Sequence, residues 1–461
     1  MSSFSRRRFL SGAAIAVGGL PVLLAACSQA AAPTAAPAQA PPTSAPATFA
    51  PAAKPTTGAA SLKGTSLAFI GGTYFVPAAQ EMFTKQLQQF GEANGVKVSA
   101  DYMAWTDLQA KIAAAIQAGA GVDIMELWPV WPYLYKDALV DFSEIAEPMG
   151  QAQGGYYDWV TPSVKVDGKW LGVPHGATNN AVNYRISYLK KAGFGDAETK
   201  FPDTWEELFA LGKALKAMGK PIGQALGHSL GDPPGFAYPY MWSYGAMEVE
   251  KDGKTVAFNK PEFVDAMKRF VQAWKDGFDE TGLSWDDSAN NRAFLADQIS
   301  VTLNGSSIYE SAKKDQPAIA ADMTHADIPK GPAGRFYSLD GKSMSGLKSS
   351  KNVDGAKAFY RWWFDPEQFG PWLRIQNTYQ LPPTKAWEKD PMWTADPKLA
   401  AFGREASFGR TQGYAGSPND KAAMARSKYI VVDTFAKAVQ SGDAAAAIKW
   451  GADELTKIYN P

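Results

Sequence analysis

The sequence predicts an α/β fold divided into two lobes, and three observations lead there. Strand and helix signals alternate from Leu62 onward, the order that builds sheets covered by helices. Once an export leader and a linker are set aside, about 400 residues remain, more than one compact core organises. No internal repeat of solenoid length interrupts the alternation.

The leader comes first. Ser5-Arg6-Arg7-Arg8-Phe9-Leu10 is a twin-arginine pattern, and the run from Ala13 to Ala26 is uncharged and mostly apolar. That run is short for a membrane span of about 20 residues and about right for a signal peptide. It ends at Leu24-Ala25-Ala26-Cys27, like a bacterial lipobox, where the thiol is acylated and the chain cut before it. Residues 1–26 are therefore expected to be a twin-arginine lipoprotein signal peptide. Cys27 is the expected lipidation site, holding an extracytoplasmic protein on the outer leaflet of the cell membrane. The plain alternative is a core cysteine behind an uncleaved anchor helix. Cys27 is the one cysteine in the chain, so a mature disulfide, thiolate metal site or iron–sulfur cluster is ruled out. Residues 27–61 are rich in Ala, Pro and Thr. Such a stretch buries too little apolar surface to offset chain entropy, and a disordered tether is expected.

In the body, Leu67-Ala68-Phe69-Ile70 reads as a buried strand stopped by Gly71-Gly72. Met82, Leu87 and Phe90 mark a helix ending near Asn94-Gly95, and Val96 to Ser99 alternates as a strand. Leu108, Ile112 and Ile116 have helical spacing, and Val122 to Leu127 is a further strand. Thr204-Trp205-Glu206-Glu207 is a capping box opening a helix with Leu208, Leu211 and Leu215 on one face. Asn259 with Pro261 opens another, and Asp365-Pro366 and Asp443 are further helix starts.

Charge and motifs narrow the function. Lys+Arg 46 equals Asp+Glu 46, so no bulk field attracts nucleic acid. The histidines at 175, 228 and 325 are too scattered for a multi-histidine metal site. There is neither a phosphate-binding Gly-x-x-x-x-Gly-Lys-Ser/Thr loop nor a Gly-x-Ser-x-Gly elbow. No metal or other cofactor is expected. With Trp 15, Tyr 18 and Phe 24, the chain has rings enough for both core and a ligand-stacking cleft.

Several blocks, in order, resemble the family 1 extracellular solute-binding proteins of ABC importers, the group containing maltose-type binders. They are Val122-Asp123-Ile124 with Ala138 to Phe142, Gly172-Val173-Pro174 with Asn183-Tyr184 and Leu189 to Gly193, Phe201 to Leu208, and Phe294 to Gln298 with Val301 to Ser306. Phe201-Pro202-Asp203-Thr204-Trp205-Glu206-Glu207-Leu208 is the most specific of them. The chain departs from the family pattern at Asp297-Gln298, where Gly-Lys is usual, and at Ser307, where an aromatic is usual. The resemblance spans about Leu67 to Tyr459. It implies a two-lobed periplasmic-binding-protein fold of type II, lobes joined by crossing hinge strands, and no enzyme activity. It places residues 62–174 plus 291–329 in an N-lobe and residues 175–290 plus 330–461 in a C-lobe. Crossing strands are expected near residues 173–183, 327–329 and 340–346.

The implied function is capture of a small polar solute, a mono- or oligosaccharide, by hinge closure, and its delivery to ABC permease subunits. A monomer is expected. A polyamine, glycerol phosphate or peptide binder, a secreted carbohydrate-active enzyme and a surface adhesin remain as alternatives. Binding a polyol calls for fixed donors and acceptors around an apolar slot. The candidates are Tyr74 after the first strand, Trp128 after the strand ending at Leu127, and Asn179 and Asn180 at the first crossing. Asn304, Gly305 and Ser306 follow a later strand; Tyr240 and Trp242 lie in an aromatic segment; Asp286, Asp340, Gly341 and Tyr379 complete the set. Each has a plain structural reading as a turn, a loop satisfying its own backbone or lobe packing.

Overall fold

The computed structural model describes residues 62–461. The expected signal peptide, Cys27 and the tether lie outside the described residues. Strand β1 (Ser66–Gly72) is parallel to β2 (Lys97–Met103) and β3 (Ile124–Leu127). Helices Pro77–Asn94 and Trp105–Gln117 make the connections. A strand covered on both faces must be apolar on both. Accordingly Leu67 and Phe69 pack with Phe83, Leu87 and Phe90, while Ile70 packs with Leu108 and Ile112.

A small hairpin, β4 (Lys165–Val166) and β5 (Lys169–Trp170), precedes β6 (Val173–Thr178). Two residues, Asn179 and Asn180, separate β6 from β7 (Ala181–Arg185), yet the two strands belong to different sheets. Strands β8 (Val301–Asn304) and β9 (Met323–Ala326) both pair antiparallel with β7. The chain then passes β10 (Tyr337–Ser338) and returns to the first sheet as β11 (Asp340–Ser345). Strands β12 (Gln380–Leu381) and β13 (Gly409–Arg410) follow. The larger sheet has the order β12-β6-β11-β3-β1-β2 and the smaller β8-β7-β9. After β12 the chain leaves the larger sheet again, and its last two helices, Ile430–Ser441 and Ala444–Tyr459, pack on helices of the second core. The fold is thus α/β, with two sheets and several chain passages between them.

Strand pairing corrects one expected boundary. Residues 291–329 were placed with the first lobe, but β8 and β9 hydrogen-bond to β7 and so lie in the second sheet. Residues 340–345, 366–375 and 380–381 conversely belong with the first sheet or its core. Local signals cannot reveal this, because partner choice is set by backbone pairing over more than a hundred residues.

The second lobe is built around the helix Asp232–Ser243, from Pro233 onward buried along its whole length. A helix apolar on every side belongs in a core. Phe236, Tyr240, Phe270 and Phe435 surround one another there. The capping box forms as read. Glu207 N–H donates to Thr204 Oγ1 at 3.3 Å, and the Glu207 carboxylate accepts from Thr204 N–H at 3.1 Å. Asp365 and Asp443 also cap their helices.

Candidate functional site

The C-terminal end of β3 is the starting point. Glu126 lies in a four-residue strand whose other members are apolar and buried, and it is itself fully buried. Burial of a carboxylate needs compensation. Tyr74 OH donates to Glu126 Oε1 at 2.7 Å and Gly72 N–H donates to Oε2 at 3.1 Å. The paired glycines make room for this. A Cβ on Gly71 would stand 2.6 Å from Glu126 Oε2, and one on Gly72 would overlap the Trp105 ring. Burial pushes the Glu126 carboxyl up to about 7, opposed by the Lys342 charge and the Tyr74 hydrogen bond.

β6 and β11 supply the opposing groups. His175 is buried, with Nε2 3.7 Å from Glu126 Oε1. Gln380 Nε2 donates to His175 Nδ1 at 2.9 Å and to the His175 carbonyl at 2.7 Å, so the ring proton sits on Nε2, towards Glu126. Burial, aided by the Lys342 charge, holds His175 well below its usual range and therefore neutral. The Lys342 ammonium lies over the Trp105 and Trp128 rings, 5.2 and 5.5 Å from their centroids, a cation–π arrangement. Trp105 and Trp128 meet edge-on at 4.8 Å.

Together Tyr74, Phe75, Trp105, Glu126, Lys342, Gln376, Tyr379 and Gln380 line a narrow compartment with a cavity volume of about 10 Å³. Trp128 Nε1, His175 Nε2 and Trp372 Nε1 are buried around it without a hydrogen-bond partner among the described residues. Tyr379 joins this compartment to the second lobe, since a Cβ on Gly305 would stand 2.7 Å from its ring. Beyond Gly305, Asn304 Nδ2 donates to Asp232 Oδ2 at 3.0 Å, and Asn290 Nδ2 to the same oxygen at 2.7 Å. Asp287 accepts from Ser229 Oγ and Asp232 N–H, each at 2.7 Å. Burial and the neighbouring Asp287 hold Asp232 well above the ordinary carboxylate range. Aromatic faces, a buried carboxyl and an ammonium along one wall, with further buried carboxyls and unpaired ring N–H groups nearby, suit a small polar molecule.

Comparison with known proteins decides the family. Residues 85–401, more than half of the chain, match the bacterial extracellular solute-binding proteins. The chain belongs to that family. No curated protein sequence matches. Among solved structures, this solute-binding protein is similar to maltose-bound MalE3 of T. maritima, with 21% identity and a TM-score of 0.73, covering 86% of this chain and 100% of that one. A solute-binding protein of Thermotoga lettingae bound with alpha-D-tagatose has 18% identity, TM-score 0.74 and coverage of 86% and 100%. A third, from Agrobacterium radiobacter in complex with ribitol, has 18% identity, TM-score 0.71 and coverage of 87% and 100%. At these identities the likeness establishes the two-lobed fold.

Of the residues singled out in the sequence, the solute-binding protein brings Tyr74 and Tyr379 into the compartment wall and sets Trp128 against its neighbour Trp105. Asn304 and Gly305 adjoin through Asp232 and Tyr379. Asn179 is spent on the crossing, its amide donating to the Thr378 carbonyl. Asn180 N–H donates to Glu405 Oε2 at 3.0 Å, while both asparagines leave the side-chain oxygen without a partner. Ser306 Oγ donates to the Asn377 carbonyl at 3.1 Å. Asp340 begins β11, its backbone paired with Thr178. Gly341 is a packing residue, where a Cβ would stand 3.1 Å from Ser163 Oγ.

Three expectations are corrected. Tyr240 is fully buried with its hydroxyl on the Ala266 carbonyl at 2.8 Å, and Trp242 packs against Tyr238 and Tyr414. Neither ring has a face open for stacking. Asp286 is exposed and accepts from Ser288 N–H and Oγ. It lies with Trp285 and Arg292 in a separate open hollow. Its neighbour Asp287 turns inward instead. Asp297, where the family has glycine, joins Arg185, Tyr188 and Lys220.

Sequence reasoning did not single out Glu126, His175, Lys342, Gln380 or Asp232 as site residues. A glutamate inside an apolar strand was the available signal for the first. Nothing local marks the others, because they converge from β6, β11, β12 and the start of a helix. Among the described residues no group of three His, Cys, Asp or Glu side chains is placed to hold a metal. No helix among them is long and apolar enough to cross a membrane.

Proposed function

We propose that this protein is the sugar-binding receptor of an ABC importer. It captures a neutral polyhydroxylated solute between its lobes and presents it to the permease. The observation that carries the reading is the presence of one acidic and one basic side chain, Glu126 and Lys342, inside one aromatic-walled compartment. A polyamine would meet the Lys342 ammonium and a phosphate the Glu126 carboxylate, whereas hydroxyls accept from one and donate to the other. The sugars and polyols bound to proteins of the same fold, maltose, alpha-D-tagatose and ribitol among them, support the same class.

Closure works by population shift. A solute touching both lobes binds the closed form more tightly and draws the hinge shut. The residues proposed for contact are Tyr74, Trp128, Glu126, Lys342, Tyr379 and Gln380, with Asn304 and Asp232 on the second lobe. Export by the twin-arginine route, lipid attachment at Cys27, the disordered tether of residues 27–61 and a monomeric state complete the proposal, together with the absence of turnover. Calorimetric titration with monosaccharides, polyols and oligosaccharides tests the ligand class. Binding of a polyamine or glycerol phosphate with no response to any saccharide refutes it. Release of chromophore from aryl glycosides, abolished in Glu126→Gln, would establish an enzyme instead. Mass spectrometry of the mature chain from its native membrane, finding diacylglycerol on Cys27 or none, tests the anchor.

A further inference from the structure

The two lobes meet at an apolar seam outside the polar compartment. On the second lobe, the segment His228–Asp232 is held residue by residue. The His228 ring stacks on Tyr429 at 4.4 Å, and its Nε2 is 2.6 Å from Asp433 Oδ1. Arg426 donates to the Leu230 carbonyl. Asp287 accepts from Ser229 Oγ at 2.7 Å, from Gly231 N–H at 3.1 Å and from Asp232 N–H at 2.7 Å. Leu230 itself is 5% exposed and belongs to the apolar cluster of the first lobe, with Leu127, Trp128 and Trp131. Tyr429 packs against the same cluster, and the helix Asp420–Ser427 packs on the helix Trp131–Leu134. A second contact lies at Gly305, where an added Cβ would stand 2.7 Å from the Tyr379 ring.

The compartment itself is too small for a sugar. Its cavity of about 10 Å³ has room for about one water molecule, against roughly 300–1,000 Å³ for small-molecule sites. Its walls are pinned: Glu126 by Tyr74 and Gly72, Gln380 by His175, and Lys342 over the Trp105 and Trp128 rings. Room for a solute therefore has to come from the second lobe moving away, which draws Leu230 out of its cluster. Resting on the sugar-receptor reading, we infer that Leu230 and Tyr429 form a latch that holds the protein in an occluded resting state. This is a third form, beside the open one and the one closed around solute. The latch competes with the solute. Only the unlatched fraction binds, so the apparent Kd is the intrinsic one divided by that fraction. The burial of one leucine is enough to favour the latched form by about tenfold or more.

The test compares full-length wild type with Leu230→Ala. Each is titrated calorimetrically with D-glucose, alpha-D-tagatose, ribitol, maltose and maltotriose, and each is measured by small-angle scattering with and without them. The expected result is that Leu230→Ala binds the best of these about tenfold more tightly than wild type does. Its radius of gyration without solute should also exceed that of wild type. Tyr429→Gly removes the ring and suits the positive φ at that position; it produces the same changes and serves if Leu230→Ala does not fold. Affinity in the folded variants equal to or weaker than that of wild type overturns the latch. So does a wild type that is more expanded without solute than with it, and both results leave the sugar-receptor reading standing. No response of wild type or variants to any of these solutes overturns the receptor reading, and the solute-free radii then decide the latch alone.

Discussion

The wall of the cleft and the helix Asp232–Ser243 contain the same kinds of side chain and use them in opposite ways. Tyr240 on the helix is surrounded by Trp205, Phe236 and Phe270, and its hydroxyl is satisfied by a backbone carbonyl. Tyr74 in the cleft gives its hydroxyl to a buried carboxylate, with a buried lysine and a neutral histidine nearby. The first arrangement closes its accounts within the fold. The second concentrates charge and polar atoms in an enclosed space, where their desolvation is only partly offset. Aromatic richness alone does not mark a binding site; buried ionisable partners beside the rings do.

That contrast predicts different kinds of damage, greatest for the core. Tyr240→Ala should cost about 3–5 kcal/mol of stability, measured by urea unfolding, with the folded fraction keeping its ligand affinity. Loss of affinity in protein still folded would break the distinction.

The next largest effect is one of pH. The Glu126 carboxyl is raised in the folded protein from 4.5 to about 7, so between these values the folded form holds a proton that the unfolded form has lost. The stability this group contributes is full below about pH 4.5 and disappears as pH rises through about 7, a change on the order of 3 kcal/mol. Glu248 is also raised to about 7 by burial and adds a slope of the same sign. The informative quantity is therefore the unfolding free energy of wild type minus that of Glu126→Gln, measured from pH 4 to 8. It should fall across that window, and a flat difference would show that Glu126 is not desolvated as described.

At pH 8, where the Glu126 carboxyl is ionised, Glu126→Gln removes the charged acceptor of the Tyr74 hydroxyl and should weaken solute binding by about 10–100-fold, the worth of a charge-assisted hydrogen bond. Calorimetry checks this, and affinity equal to wild type would move the contact surface elsewhere. Smallest of all, Asp286→Asn should leave affinity unaltered and change stability by no more than about 0.5 kcal/mol, because Asp286 is exposed and its contacts are the turn at Ser288 and a loose surface pair with Arg292 at 3.8 Å. A clear loss of binding would bring the open hollow beside Trp285 back into consideration.

Much of this was legible in the residues. Buried strands, amphipathic helices and their caps are local physics, and β1, β3 and the helix after Thr204 follow from four to thirteen residues each. Part of the site was also legible by position, since residues just after a strand, such as Tyr74 and Trp128, face the crevice at the strand ends. Where local reasoning failed, it failed for one reason. Tyr240 and Trp242 looked like stacking rings because nothing in sequence tells that their helix is covered on all sides. Lys342 and His175 looked ordinary because nothing within their own strands points to the partners they meet from other strands.

By itself, then, the amino-acid order determined the α/β alternation, the helix boundaries and membership of a solute-binding class, all of which depend on neighbours along the chain. Only the tertiary structure decided which strands share a sheet, which aromatic rings are core and which carboxylate meets Lys342. Those outcomes depend on desolvation and close packing between segments fifty to two hundred residues apart, and such energies exist only once the chain has folded back on itself.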